Sequence, residues 1–322
     1  MRHLIQSTLA ALVLCLGFSQ QACAWDALED AIYHLSIKAG QLAAHVETKS
    51  IAVSPECVMV YYDNNNSTAS ETLVLLHGFT GDKDNWTIMA SYLKQYHLII
   101  PDLGGHGESC YDEKTTYNIP NQVQLLHQFL NKLNIGKVHL AGNSMGGWIT
   151  TYYTSEYPEE IKSIALFDAG GVVSPVKSPF FQLVDKGENP FFFSDQAGFE
   201  KFIKMAMQDP PFLPWPIMKV QTRMMLAHQP RIRKIYAELT GQGENHFAQD
   251  QMVDSRLTKI KQPALIIWGK QDHILDISMA EVFANGLSNH ETTFLDGVGH
   301  VPMLEHPKQS AQIYAEFIEK HK

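Results

Sequence analysis

Short runs of consecutive apolar residues alternate along this chain with stretches in which apolar residues recur every three or four positions. Thr72-Leu73-Val74-Leu75-Leu76 and Leu98-Ile99-Ile100-Pro101 are runs of the first kind, expected of strands whose two faces are both covered. Between Ile119 and Leu133, apolar Val123, Leu126, Phe129 and Leu130 keep helical spacing. Further strands are predicted at 58–62, 137–141, 164–167, 264–268 and 292–295, with helices around 278–288 and 308–320. Such alternation specifies an α/β fold, a mostly parallel central sheet with helices on both faces. The rhythm breaks over residues 171–250, which hold Phe180-Phe181, Phe191-Phe192-Phe193 and Pro210-Pro211-Phe212-Leu213-Pro214-Trp215-Pro216. Burying one Phe is worth roughly 1.5–3 kcal/mol, so this insertion must cover or bind something apolar. Ahead of the sheet, residues 25–50 read as an amphipathic helix whose apolar side, Trp25, Leu28, Ile32, Leu35, Ile37, Leu42 and Val46, is expected to pack on the main domain.

The first 24 residues read as a separate object. Arg2 and His3 precede an apolar stretch from Leu9 to Phe18, and Ala22-Cys23-Ala24 closes it. That order is a secretory signal cleaved after Ala24, which sends the chain to the periplasm or outside the cell. The apolar stretch is shorter than the roughly 20 residues a spanning helix needs. The organisation is therefore 1–24 signal peptide, 25–50 N-terminal helix, 51–170 and 251–322 the two parts of the core, and 171–250 the insertion.

Export alters the composition. The formal charge of −9 becomes −10 once the leader and its single charged residue, Arg2, are gone. An acidic surface repels phosphate backbones and argues against nucleic acid as a partner. Cys15 and Cys23 leave with the leader; Cys57 and Cys110 remain, and sequence leaves open whether they pair or stay free thiols.

Candidate chemistry centres on Gly142-Asn143-Ser144-Met145-Gly146, a G-x-S-x-G pattern between a predicted strand and a predicted helix. A serine hydroxyl needs a base, and the base needs an orienting acid. Past the ends of the last two strands stand Gly269-Lys270-Gln271-Asp272 and Gly297-Val298-Gly299-His300. Ser144 as nucleophile, His300 as base and Asp272 as acid fit by order and by position at strand carboxyl ends. Asp276, Asp296 and Asp168 are rival acids, and the serious one is Asp168, at the end of the strand after the nucleophile. Oxyanion donors are expected at the backbone N–H groups of Met145 and Phe79, the latter in His77-Gly78-Phe79, where His77 has a scaffold role. No H-E-x-x-H, C-x-x-C or G-x-x-x-x-G-K-[ST] occurs, so no metal or other cofactor is expected.

With Asp102-Leu103-Gly104-Gly105-His106-Gly107-Glu108-Ser109 added, these motifs make residues 56–320 resemble the α/β-hydrolase superfamily, in particular its bacterial lipases and monoacylglycerol lipases of the HGF type. Gly104 departs from the proline many members carry there. The resemblance implies a carboxylic ester hydrolase acting on a small lipid or ester through an acyl-enzyme, with 171–250 as a helical cap. Phe191, Phe192, Phe212 and Trp215 would then line an acyl pocket, and a membrane surface would be met transiently. Two alternatives stand beside this: a C–C bond hydrolase of ring-cleavage products with the same triad, and a hydrolytically inert binding protein on the same scaffold.

Overall fold

A computed structural model describes residues 25–241 and 247–322, so the expected leader lies outside the described residues. Eight strands form one sheet: β1 (Glu47–Ser54), β2 (Cys57–Asp63), β3 (Thr72–Leu76), β4 (His97–Pro101), β5 (Val138–Asn143), β6 (Ile161–Phe167), β7 (Ala264–Gly269) and β8 (His290–Leu295). Their order is β1-β2-β4-β3-β5-β6-β7-β8. β1 pairs antiparallel with β2, and β2 with β4, while every pair from β4 to β8 is parallel.

The uninterrupted apolar runs are explained by helices on both faces. In β3, Val74 and Leu76 belong to one buried cluster with Leu140, Phe129 and Trp148, whereas Leu73 and Leu75 join Trp86, Phe167, Tyr314 and Phe317 on the other side. Successive side chains of a strand point to opposite faces, so both parities must be apolar here. β8 lies at the sheet edge and instead alternates exposed and partly covered positions.

The helices are α1 (residues 25–44), α2 (Thr87–Ala90), α3 (Ile119–Leu133), α4 (Met145–Glu156), α5 (Pro179–Val184), α6 (Gln196–Ala206), α7 (Trp215–Ala227), α8 (Gln229–Leu239), α9 (Ser278–Gly286), α10 (Pro302–Glu305) and α11 (Pro307–Lys320). α3 has the extent its spacing predicts. The Asn118 side chain accepts from the Asn121 N–H at its start, Pro120 sits in the first turn, and Asn134 ends it with φ 52°. α5 to α8 all fall between β6 and β7, where the rhythm broke.

Two expectations change at the N-terminus. The helix predicted over 25–50 stops at residue 44, His45 turns with φ 57°, and Glu47 begins a hairpin strand that the helical reading had absorbed. β-branched Thr48, Ile51 and Val53 favour the strand. The side facing the domain is also different. Glu29, Tyr33 and Ala44 are buried, while Trp25, Leu28, Leu35 and Leu42 are exposed. Polar contacts accompany the side that packs: Lys219 of α7 bonds Glu29 at 2.9 Å and Asp26 at 3.2 Å, and Arg223 meets Asp30.

Cys57 and Cys110 form a disulfide, with Cα atoms 5.1 Å apart, closing 53 residues of chain between β2 and the turn after β4. Closing a loop of that length removes unfolded-state entropy worth about 4 kcal/mol in the chain-entropy treatment, and measured losses typically run at about 2–4. Cys57→Ala with Cys110→Ala is therefore expected to lower unfolding free energy in urea by about 2–4 kcal/mol. A loss below about 0.5 kcal/mol would show that the pair does not restrain the chain.

Candidate active site

Ser144 occupies the single residue between β5 and α4, with φ 56° and ψ −117°. A non-glycine residue there is strained by about 1–3 kcal/mol and persists only if its surroundings impose it. Here they do. The Ser144 N–H donates to the Phe167 carbonyl at 3.0 Å, and its carbonyl accepts from Gly170 at 2.9 Å, so the end of β6 clamps the turn. The turn also needs small neighbours: a Cβ on Gly142 would lie 2.1 Å from the Gly146 carbonyl oxygen, and one on Gly146 2.4 Å from that of Leu76.

The next two predicted residues meet directly. His300 Nδ1 lies 2.7 Å from Asp272 Oδ2, and both residues are buried. Asp272 Oδ1 accepts from the N–H groups of Ile274 at 2.8 Å and Leu275 at 3.0 Å, which suits a carboxylate anion. Facing a carboxylate, Nδ1 is the donor, and Nε2 is left as the lone-pair nitrogen. Asn143 joins this pair to the serine: its Nδ2 donates to the Phe167 carbonyl at 3.0 Å and to the His300 carbonyl at 2.9 Å. The Ser144 hydroxyl itself makes no hydrogen bond among the described residues. Such contacts often tighten only when substrate arrives.

Asp168, the rival acid, ends β6 fully buried; its Oδ1 accepts from the Gly269 N–H at 2.9 Å. The acid bonded to His300 is Asp272. Donor atoms of Asp168, Asp272 and His300 all lie within 4.8 Å of one another, the one such cluster among the described residues. It suits a proton better than a metal, since two ligands of one tetrahedral ion sit roughly 3.3 Å apart, not at hydrogen-bond contact.

The N–H groups of Phe79 and Met145 donate to no protein group among the described residues. Gly78 brings the first of them close, because a Cβ there would stand 3.1 Å from Ser144 Cβ. His77 holds this loop as expected of a scaffold. Its Nδ1 bonds the Gly78 carbonyl at 2.8 Å and its Nε2 accepts from the Leu103 N–H at 3.0 Å. Burial lowers its pKa and so keeps it neutral, as accepting requires.

Ser144 opens into a narrow, largely apolar cavity of about 30 Å³, walled by Phe79, Trp148, Phe180, Phe191, Tyr236 and Leu275 among others. Phe191 is part of this wall, with ring centroids 5.0 Å from Phe79 and 4.7 Å from Phe180. The other three expected pocket residues lie elsewhere. Phe192 packs on Tyr236 beneath the Arg233 guanidinium, 4.2 Å from the ring centroid. Phe212 and Trp215 are 89% and 59% exposed. Their proline-rich segment runs over the surface, a placement the aromatic count could not reveal.

A family model described as the alpha/beta hydrolase fold matches residues 71–206 and 227–307. The chain belongs to the α/β-hydrolase family. Its relatives include Lipase 3 of Moraxella sp. (strain TA144), 32% identical over 273 residues and 84% of each chain. Monoacylglycerol lipase abhd6-B of Xenopus laevis is 30% identical over 257 residues, 77% of this chain and 75% of its own. The crystal structure of a membrane phospholipase A, described as a novel bacterial virulence factor, superposes with TM-score 0.87 at 29% identity, covering 98% of both chains.

One supporting residue of this hydrolase escaped sequence reasoning. Glu305 Oε2 accepts from the N–H groups of Gln208 at 2.7 Å, Asp209 at 2.9 Å and Gly299 at 3.0 Å, and Oε1 from Val301 at 3.3 Å. It therefore clasps both sides of His300 and the chain leaving α6, while the His300 N–H donates to the Ala206 carbonyl at 2.7 Å. Only its place five residues after His300 hinted at this. Glu305→Ala strands these donors, and kcat on a soluble ester is expected to fall about tenfold or more with far-UV circular dichroism unchanged. Wild-type kcat in that variant would remove Glu305 from the account.

Proposed function

We propose that this protein is an exported serine hydrolase that cleaves carboxylic esters of apolar acyl chains, acylglycerols among them, through an acyl-enzyme. The observation that carries the reading is the strained Ser144 turn, set at the mouth of an aromatic cavity beside two uncommitted backbone donors. In this reading Ser144 Oγ attacks the ester carbonyl as His300 Nε2 takes its proton, and Asp272 stabilises the imidazolium. The carbonyl oxygen gains negative charge in the N–H groups of Phe79 and Met145, the latter aided by the N-terminus of α4. His300 then protonates the departing alcohol, and water repeats the sequence on the acyl-serine.

The lining of the cavity supports the substrate class. Its walls offer aromatic and aliphatic surface, and fully burying an eight-carbon chain contributes of order 6 kcal/mol at about 0.8 per methylene. The relatives named as lipases and a monoacylglycerol lipase support the same class. Exposed Phe212 and Trp215, before and at the start of α7, support transient contact with a lipid surface. Export is supported by the Cys57–Cys110 disulfide, which persists in an oxidising compartment.

On p-nitrophenyl esters, kcat/KM is expected to rise from acetate to octanoate, and Ser144→Ala to remove about 10⁴-fold or more of it. Absence of turnover on every ester, or turnover that survives Ser144→Ala, would refute the reading.

A further inference from the structure

The catalytic reading leaves one buried acid without a task. Asp168 is fully shielded from water at the end of β6, and its backbone is held at φ 43°, where a non-glycine residue is strained. Its Oδ1 is committed to the Gly269 N–H at 2.9 Å, and its Oδ2 has no partner among the described residues. The titratable groups facing it are Asp272 after β7, His300 after β8 and Glu305 on α10. None of these gives Oδ2 a positive charge to bond, because His300 Nδ1 is committed to Asp272.

Two carboxylates this close do not both ionise in a buried site. Asp272 accepts three hydrogen bonds, from His300, Ile274 and Leu275, while Asp168 accepts one. The negative charge therefore belongs on Asp272 and the shared proton on Asp168. Burial first, and then the Asp272 charge, hold the Asp168 carboxyl well above the usual carboxylate range.

We propose that Asp168 is a positioning residue, present as the neutral carboxylic acid, whose Oδ2–H donates to the Asp272 carboxylate and fixes it against His300. The inference rests on the reading of Ser144, His300 and Asp272 as one catalytic unit, and deepens it. It also accounts for the strain. An acid in relaxed extended backbone at this position would continue the strand rather than turn its carboxyl toward Asp272. Donation to Asp272 stabilises that anion and spreads its charge, so losing the donor would concentrate negative charge beside the imidazole.

The substitutions separate the roles. Asp168→Asn keeps an acceptor for Gly269, supplies an N–H donor for Asp272 and tolerates the left-handed backbone. Asp168→Ala removes the donor. The pKa of His300, followed by NMR of its imidazole and assigned with His300→Gln, needs no turnover, so it reports on Asp168 even if the esterase reading fails. The acid limb of the kcat/KM profile on p-nitrophenyl butyrate supplies the catalytic readout.

In Asp168→Asn the His300 pKa is expected to stay within about 0.3 of wild type and kcat/KM within about threefold. In Asp168→Ala the pKa is expected to rise by about half a unit or more, with kcat/KM down about tenfold and KM little changed. An ionised Asp168 would reveal itself as a His300 pKa about one unit lower in Asp168→Asn, since a nearby negative charge would be lost. That result overturns the proposal, as does an Asp168→Ala variant that matches wild type in both readouts. Should the alanine variant not fold, the asparagine titration alone decides the protonation state.

Discussion

The clamp on the backbone of Ser144 is the constraint from which the site follows. A serine at φ 56° is disfavoured by itself, and it stays there because β6 and the loop leaving it grip both sides, N–H to Phe167 and carbonyl to Gly170. The clamp exists because β5 and β6 are parallel neighbours in register, Asn143 opposite Phe167. The sheet's pairing thus sets the angle at which the hydroxyl leaves the strand. The glycines on either side are there because any Cβ would collide with the turn or with β3. Strain of this kind is stored by the whole parallel sheet, not by the pentapeptide.

Around that fixed point, three loops from distant parts of the chain converge. His77 pins the Gly78-Phe79 segment to the turn after β4, Asp272 is shaped by its own two backbone donors, and Asn143 and Glu305 hold the segment carrying His300. Each tie ends on backbone, so the side chains that would do chemistry remain free for it. The same Glu305 also grips the exit of α6, and the position of the helical insertion is therefore coupled to that of the imidazole. Opening the cavity for a bulky acyl chain would be felt at His300 through that carboxylate.

Much of this was legible in the residues. Strands buried on both faces announce themselves as unbroken apolar runs, and β3, β4, β5, β6 and β7 were found that way. Ser144, Asp272 and His300 could be named as candidates because each sits just past a strand end, which is a matter of chain order, and the structure sets Asp272 against His300. What stayed hidden depends on partners remote in sequence. β1 stays hidden behind the preceding helix, because an edge strand with mostly exposed positions carries little apolar signal. Apolar spacing points Leu28, Leu35 and Leu42 inward, whereas the side of α1 that faces the domain carries Tyr33, Ala44 and the Glu29 carboxylate paired with Lys219. Phe212 and Trp215 show the limit of composition: an aromatic cluster signals apolar surface, but not which face of it closes over a cavity. Asn143, Glu305 and the pairing of Asp168 with Asp272 were invisible because each requires three-dimensional neighbours.

The central claim is that the Ser144 hydroxyl, the His300 imidazole and the two uncommitted backbone donors act on one carbonyl. The most direct measurement is a crystal structure after reaction with an alkyl phosphonate, whose tetrahedral phosphorus mimics the reacting centre. The account predicts phosphorus bonded to Ser144 Oγ, with the phosphoryl oxygen about 2.7–3.1 Å from the nitrogens of Phe79 and Met145. It also predicts His300 Nε2 within hydrogen-bond reach of the adduct and the alkyl chain against Phe191. An adduct on another residue, or a phosphoryl oxygen turned away from both nitrogens, would contradict it.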